Sequence, residues 1–275
     1  MRRSTTSVGT EPSRPAARRR AAARRRVGAV LGAELLCAVL LVGGPAAPPA
    51  GPSVAAPVIH TLSAPVAAAL PDGRTAQLID LGAAGGHDLL TRISAELPGA
   101  AEAVTAFWGP DWRPDISVVV AGSAEQFATL AGGSADVAAT TTAERIMFSP
   151  AAGAMNDADL RMVLRHELFH YAARADTAAD APVWLTEGVA DFVARPPAEP
   201  PAVAPTPPTD AELTTPGPGR AAAYDRAWEF ATYVAGTHGA ATLRALYVAA
   251  CGPGHPDVAT AIRDVLGDDL PAGAR

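Results

Sequence analysis

The chain has 275 residues, 49% of them apolar, which is enough to bury the core of one large domain or two small ones. Its 22 basic residues are all arginine, and nine of them precede Val27. From Gly43 onward, 13 arginines stand against 26 acidic residues, and this acidic body argues against nucleic acid or an anionic membrane surface as a partner.

The first 50 residues have the pattern of an export signal. A basic stretch precedes an apolar run at residues 27–44, and small residues and prolines follow. The run is short for a membrane span and carries Glu34 near its middle, which favours a cleaved signal peptide. An uncleaved signal anchor, holding the protein to the membrane through residues 27–44, is the alternative. We expect a secreted or extracytoplasmic protein.

One folded domain is predicted over residues 58–275, after an Ala-, Pro- and Gly-rich linker at residues 51–57. The chain has two cysteines, Cys37 in the apolar run and Cys251 in the domain. A cleaved product would therefore form no internal disulfide, and its stability must come from a core or a metal. We expect Cys251 to be a small buried residue.

The first half of the domain mixes helical and strand patterns. Residues 87–108 predict one or two amphipathic helices broken around Pro98-Gly99, and residues 115–122 predict a buried strand. A helix with a serine N-cap follows at residues 123–132. Residues 138–150 predict a strand or hairpin immediately before the next helix, so the fold class is α+β.

The second half is mainly helical. Residues 196–219 are too rich in proline for regular structure and predict a surface loop or a polyproline spacer. The stretch that follows, residues 221–252, returns to helical spacing, with Gly236 and Gly239 as expected breaks.

The helix that carries "LRHELFHYAARAD", residues 164–176, holds two of the six histidines of the chain. Asn156 or Asp157 can cap its N-terminus. Counting 100° per residue, the apolar side chains of this helix fall within one arc, and Glu167 falls inside that arc. A carboxylate on an apolar face needs a partner, and His166 and His170 lie on the flank of the same face.

The spacing of these residues matches the pattern H-E-x-x-H. Two imidazoles one helical turn apart can reach one zinc ion, and the intervening glutamate can act as a base on a water that the metal activates. A third ligand is needed. "WLTEGVADF", residues 184–192, places Glu187 and Asp191 four residues apart on a helix face that should be apolar.

The second acidic pair offers the missing groups. Glu187 can act as the third ligand and Asp191 as the hydrogen-bond partner of a ligand histidine. Gly188 removes a side chain beside Glu187, and we expect this to let the second helix approach the histidine helix closely. The alternative to a metal site is that the H-E-x-x-H pattern arose by chance in a purely structural protein, whose acidic residues at these positions bind no metal.

"HELFH" followed by "WLTEGVADF" resembles the glutamate-type zincins, the thermolysin-like gluzincin clan, and especially its small peptidase-MA-like domains of bacterial exported proteins. The resemblance implies a zincin-like α+β fold: a small mixed sheet with an edge strand, here around residues 145–150, packed on the zinc helix, and then a mainly helical part. The edge strand would hold an extended peptide by main-chain pairing.

The resemblance also implies roles for individual residues. His166, His170 and Glu187 would bind Zn²⁺, Glu167 would act as general base and then acid, and Asp191 would support a ligand histidine. The group that stabilises the oxyanion comes from the C-terminal part in related enzymes. The candidates here, with the first preferred, are Tyr224, Tyr233 and His238.

The expected function is therefore an exported zinc-dependent metallopeptidase that hydrolyses peptide bonds of a peptide or protein substrate. One alternative is a catalytically inactive exported binding module with the same fold. Another is a metzincin-like protease with Asp176 as third ligand, although Ala173 stands where that motif needs a glycine to turn the chain.

Overall fold

The computed structural model describes residues 64–132 and 137–267. The predicted signal segment and membrane anchor, the linker, Cys37 and the first residues of the predicted domain lie outside the described residues. None of the helices in these two ranges combines the length and the apolar character needed to cross a membrane.

The described residues form an α+β fold around one mixed sheet. Its strands, numbered along the chain, are β1 (Val66–Ala69), β2 (Thr75–Asp80), β3 (Asp115–Val120), β4 (Ala139–Thr141) and β5 (Ile146–Phe148). Their order across the sheet is β1-β2-β3-β5-β4. Strands β2, β3 and β5 run parallel, and β1 and β4 are antiparallel edge strands.

Eight α-helices surround this sheet in the described ranges, and most of them follow it in the chain. They are α1 (Gly86–Trp108), α2 (Ala124–Ala131), α3 (Asp157–Ala173), α4 (Val183–Ala194), α5 (Asp210–Thr214), α6 (Arg220–His238), α7 (Ala240–Cys251) and α8 (Val258–Leu266). Short 3-10 turns at Pro150–Ala154 and Arg174–Asp176 lie immediately before and after α3.

The core lies mainly on one face of the sheet, where α1 and α3 pack. Because side chains alternate along a strand, Val118 and Val120 of β3 belong to this core and Val119 belongs to a smaller cluster on the other face. The smaller cluster includes Phe127 and is covered by α2. Cys251 is fully buried in the main core, as the sequence predicted.

Several predicted elements are confirmed. Strand β3 and helix α2 lie where expected, and the Ser123 side chain caps α2 by accepting a hydrogen bond from the backbone N–H of Gln126. The predicted break around Pro98-Gly99 is wrong, because α1 continues through it. Pro98 lies on the exposed side of a helix whose other side is buried from Leu89 to Trp108, and this packing outweighs the local cost of proline.

The predicted hairpin before the histidine helix is confirmed as β4 and β5, but the prediction that the edge strand lies around residues 145–150 is wrong. Strand β5 pairs with β3 on one side and with β4 on the other. Its residues Ile146, Met147 and Phe148 are fully buried, as an interior strand requires. The edge strand beside α3 is therefore β4, at residues 139–141.

The proline-rich segment has no helix or strand over residues 196–209, as expected of a loop, but residues 210–214 form a short helix. Helix α5 begins there with a capping box between Thr209 and Glu212. Leu213 is fully buried, and Asp210 accepts a hydrogen bond from the backbone N–H of Trp184 at 2.9 Å. Further along, α6 continues through Gly236 and ends at Gly239, so one of the two predicted breaks is confirmed.

Candidate metal centre

Helix α3 carries the two histidines of the motif into the core. The Asn156 side chain accepts a hydrogen bond from the backbone N–H of Asp159 at 3.0 Å and so caps the helix, one of the two predicted caps. The apolar arc is buried as predicted, and Glu167 is only 1% exposed. His166 is fully buried, and the side chain of His170 is 18% exposed, so the histidine pair opens to solvent on the His170 side.

Helix α4 brings Glu187 against this pair, as the sequence predicted. Nε2 of His166 lies 3.1 Å from Nε2 of His170, and each faces one carboxylate oxygen of Glu187, at 3.2 Å and 3.3 Å. One ligand atom from each of the three residues lies within 4.8 Å of the other two. Three such atoms that converge on one point can hold a metal ion.

Asp191 lies one turn beyond Glu187 on α4 and contacts the first histidine. Its Oδ1 is 3.0 Å from Nδ1 of His166, and its Oδ2 accepts a hydrogen bond from Arg195. The other end of the Arg195 guanidinium donates to Asp225 at 2.8 Å. A carboxylate accepts here, so Nδ1 of His166 donates to Asp191, and Nε2 is the nitrogen that faces Glu187.

The Glu187 carboxylate is fully buried, and its two oxygens face the imidazole nitrogens of His166 and His170. Burial alone would raise its pKa, but the two imidazoles beside it outweigh burial and lower the pKa well below the ordinary value for glutamate. The carboxylate is thus held ionised in the core, beside the two histidines. A metal cation held by the two histidines and Glu187 would also balance the charge of this buried carboxylate.

Glu167 faces the same cleft and is held by the edge strand. The hydroxyl of Thr141, the last residue of β4, lies 2.6 Å from Oε2 of Glu167 and 2.9 Å from its backbone oxygen. The hydrogen bond fixes the carboxylate and ties α3 to the sheet. Sequence reasoning missed Thr141, because no spacing pattern connects it to a residue 26 positions later.

A cleft of about 200 Å³ opens over these groups. The turn between β4 and β5 forms one wall, and the segment between α3 and α4 forms the other. Arg174, one turn after His170, also lines the cleft, and its spacing of four residues could have identified it from the sequence. The lining residues are Thr140, Thr141, Thr142, Ala143, Glu167, His170, Arg174, Thr177, Ala178, Ala179, Ala181, Val183, Thr186 and Glu187.

The structure does not bring every predicted site residue to this cleft. Tyr224 is 1% exposed and belongs to the main core near the start of α6. Neither it nor Tyr233 nor His238 is among the described residues that line the cleft. Their role at an oxyanion stays a prediction. Asp176 is exposed and is not in the group of His166, His170 and Glu187, so the geometry does not favour it as a ligand.

Gly188 has a different role from the predicted one. A Cβ atom at this position would lie 2.5 Å from the backbone oxygen of Ala227, in α6. The close approach that the glycine permits is therefore between α4 and α6, not between α4 and the histidine helix. Helix α6 supports α4 from behind and so holds Glu187 in place.

A larger groove of about 680 Å³ lies elsewhere on the protein, between the first half of α3, the end of α4 and α6. Its lining includes Arg195, whose guanidinium stacks on Trp228 at 4.9 Å from the ring centre. None of the three candidate ligands lines this groove. The chemistry of the site therefore belongs to the smaller cleft.

The sequence of the chain was compared with protein-family models and with curated proteins. The chain matches no protein-family model, and no curated protein is significantly similar to it. The candidate centre rests on the residues and their geometry.

Proposed function

We propose that the protein is an exported zinc-dependent metallopeptidase of zincin-like fold, with His166, His170 and Glu187 as metal ligands. The observation that supports this proposal is the convergence of three ligand atoms, from the buried His166 and Glu187 and the partly buried His170, beside a separate carboxylate, Glu167. A structural helix pair has no need of this combination, since each acid occupies a position that should be apolar.

The spacing of the ligand atoms is compatible with zinc. Zinc bonds to nitrogen and oxygen are about 2.0–2.1 Å long, so two ligand atoms at a tetrahedral zinc lie about 3.3–3.4 Å apart. The three contacts among His166, His170 and Glu187 are 3.1, 3.2 and 3.3 Å. Two histidines and a glutamate are also a ligand set of catalytic zinc sites, which leave further positions open.

Zinc, when bound, supplies Lewis acidity that polarises a carbonyl and acidifies water. The proton transfers would fall to Glu167, whose carboxylate lines the cleft. As a general base it would take a proton from the attacking water, and as an acid it would give that proton to the departing amine. The Thr141 hydroxyl would hold this carboxylate in position at 2.6 Å.

The substrate would lie along β4. This strand pairs with β5 on one side only, so its other edge presents backbone N–H and C=O groups. Thr140, Thr141 and Thr142 line the cleft, which places that edge beside the ligands. An extended peptide could add to the edge by main-chain hydrogen bonds, and its scissile carbonyl would then reach the metal.

The metal is tested first. The purified protein should contain one zinc per chain, and His166→Ala or Glu187→Gln should lose it while His87→Ala, on the exposed side of α1, should retain it. Circular dichroism of each variant would show that it is folded. A folded wild-type protein that takes up no zinc from a buffered supply contradicts the proposal.

Turnover is tested next. Glu167→Gln keeps the size of the side chain and removes its basicity, so it should retain zinc and lose cleavage of a mixed peptide library by about 10²-fold or more. Equal cleavage by the variant and the wild type would contradict the role of Glu167.

The second candidate is an exported binding module that keeps the fold and the metal without turnover. The observation that favours it is that Tyr224, Tyr233 and His238 do not line the described cleft. Under this hypothesis the zinc-loaded wild type cleaves no peptide in the library yet binds some of its members. Cleavage that requires Glu167 excludes it.

A further inference from the structure

Arg174 is a cation at the cleft that the proposed reaction leaves unused. It follows α3 in a 3-10 turn, one helical turn beyond His170, and it is exposed. Its side chain makes no hydrogen bond and no ion pair with any residue in the described ranges, although most of the protein's surface charge is negative. Other cleft-lining groups with charge are Glu167, His170 and Glu187, which the metal site engages.

The guanidinium group suits one kind of ligand particularly well. Its planar fork of N–H donors matches a carboxylate, to which it can donate two parallel hydrogen bonds. The acids nearest to it in sequence do not use it: Asp176 is exposed, and Asp180 faces His255 at 3.5 Å. Arg174 is therefore available to a carboxylate that enters from solvent.

The size and the lining of the cleft favour recognition of a substrate by its charge. At about 200 Å³ it has little room, and its described lining is dominated by threonine and alanine, with no phenylalanine, tyrosine or tryptophan. Specific pockets for large apolar groups are usually lined by hydrophobic and aromatic residues. Small substrate side chains fit this cleft, and Arg174 is its strongest feature for selecting among them.

We propose that Arg174 binds a carboxylate of the substrate, so that the preferred peptides carry a free C-terminal carboxylate or an acidic side chain next to small residues at the cleaved bond. This inference rests on the proposed peptidase function. It names peptides that carry a carboxylate as the preferred substrates, and it gives Arg174 the role of selecting them.

Binding can be measured without turnover in the zinc-loaded full chain with Glu167→Gln. The probes are acetylated hexapeptides of glycine and alanine in three forms: with a C-terminal carboxylate, with a C-terminal amide, and with the amide plus one aspartate at each position in turn. Isothermal titration calorimetry should show that one of the carboxylate-bearing forms binds about tenfold more tightly than the neutral amide. The form that is favoured distinguishes a C-terminal from a side-chain carboxylate.

Adding Arg174→Gln should remove this preference and leave binding of the neutral amide almost unchanged. Arg220→Gln is the matched control, because Arg220 lies at the start of α6, lines no part of the cleft and has no described ion pair. It should keep the preference. In the same series, raising the salt concentration should weaken the preference, since the pair is exposed to solvent.

Three results would overturn the proposal: equal affinity for all forms, a preference for carboxylate that persists in Arg174→Gln, and an equal loss of affinity for neutral and charged peptides. A preference that persists in Arg174→Gln would mean that the peptide carboxylate binds the metal and not Arg174. With Glu167 restored, a kcat/KM that falls equally for neutral and charged peptides in Arg174→Gln would likewise overturn it, because stabilisation of the oxyanion acts on every substrate. A wild type that binds charged peptides through Arg174 but cleaves none refutes the peptidase and leaves the carboxylate site standing.

Discussion

Nδ1 of His166 lies 3.0 Å from Oδ1 of Asp191, and both side chains are fully buried. The contact decides which imidazole nitrogen carries the proton and therefore which nitrogen can bind a metal. Arg195 holds the second oxygen of the same carboxylate and is itself almost buried, between Asp191 and Asp225. Burial disfavours the charged form of Arg195, but the two neighbouring carboxylates outweigh burial and raise the pKa of Arg195.

Replacing Asp191 should therefore weaken metal binding without touching a ligand. In Asp191→Asn the imidazole loses its negative partner and becomes less basic, and we expect zinc affinity to fall by about 10- to 100-fold. Competition against a chelator of known affinity measures this. Asp225→Asn also contacts Arg195 but not His166, and it should change zinc affinity much less. Equal effects of the two variants would mean that the whole ion-pair network, not the contact with His166, sets the affinity.

The hydroxyl of Thr141 should matter for turnover more than the shape of its side chain. Thr141→Val keeps the volume and removes the hydrogen bond to Glu167, so we expect kcat to fall by about tenfold, as for loss of one hydrogen bond to a charged group. Thr141→Ser restores the hydroxyl and should restore most of the activity. Steady-state kinetics on one peptide substrate compares the three proteins. A serine variant as slow as the valine variant would show that the methyl group, not the hydroxyl, is needed.

Gly188 should be intolerant of alanine. The added Cβ would lie 2.5 Å from the backbone oxygen of Ala227, which cannot rotate away, so α4 and α6 must separate. We expect Gly188→Ala to lower the free energy of unfolding by about 1–3 kcal/mol.

A matched control exists in α1. Gly99 is also inside a helix but has nothing within 4 Å of an added Cβ, so Gly99→Ala should raise stability by up to about 1 kcal/mol. Urea denaturation measures both variants. Stabilisation by both would mean that helix propensity outweighs the contact between α4 and α6.

Cys251 should be unreactive in the folded protein. It is fully buried, and burial raises the pKa of its thiol far above the ordinary value, so almost no thiolate is present at pH 8. Iodoacetamide should label Cys251 slowly in the native protein and quickly in 6 M guanidinium chloride, as peptide mass spectrometry would show. Rapid native labelling would indicate that α7 opens locally on the timescale of the reaction.

Local sequence patterns predicted those features that depend only on interactions between residues close together in the chain. Ser123 and Asn156 cap their helices because the side-chain oxygen reaches a backbone N–H three residues later, and this needs no distant partner. Proline gave a weaker signal. It did not break α1 at Pro98, and residues 210–214 of the proline-rich segment form a helix with Leu213 buried, because burial of apolar residues outweighs a local preference.

The sequence by itself predicted the group of residues that could hold a metal ion. His166 and His170 share a helix face, and Glu187 occupies an apolar position on a second helix, so one metal could be inferred from periodicity and the cost of burying acids. Only the tertiary structure decided that β4 is the edge strand, that Gly188 faces α6, and that Thr141 and Arg174 join Glu167 in one cleft while Tyr224 is packed in the core. The reason is physical: these relations depend on how separate elements pack, and helical or strand spacing contains no information about distances across the fold.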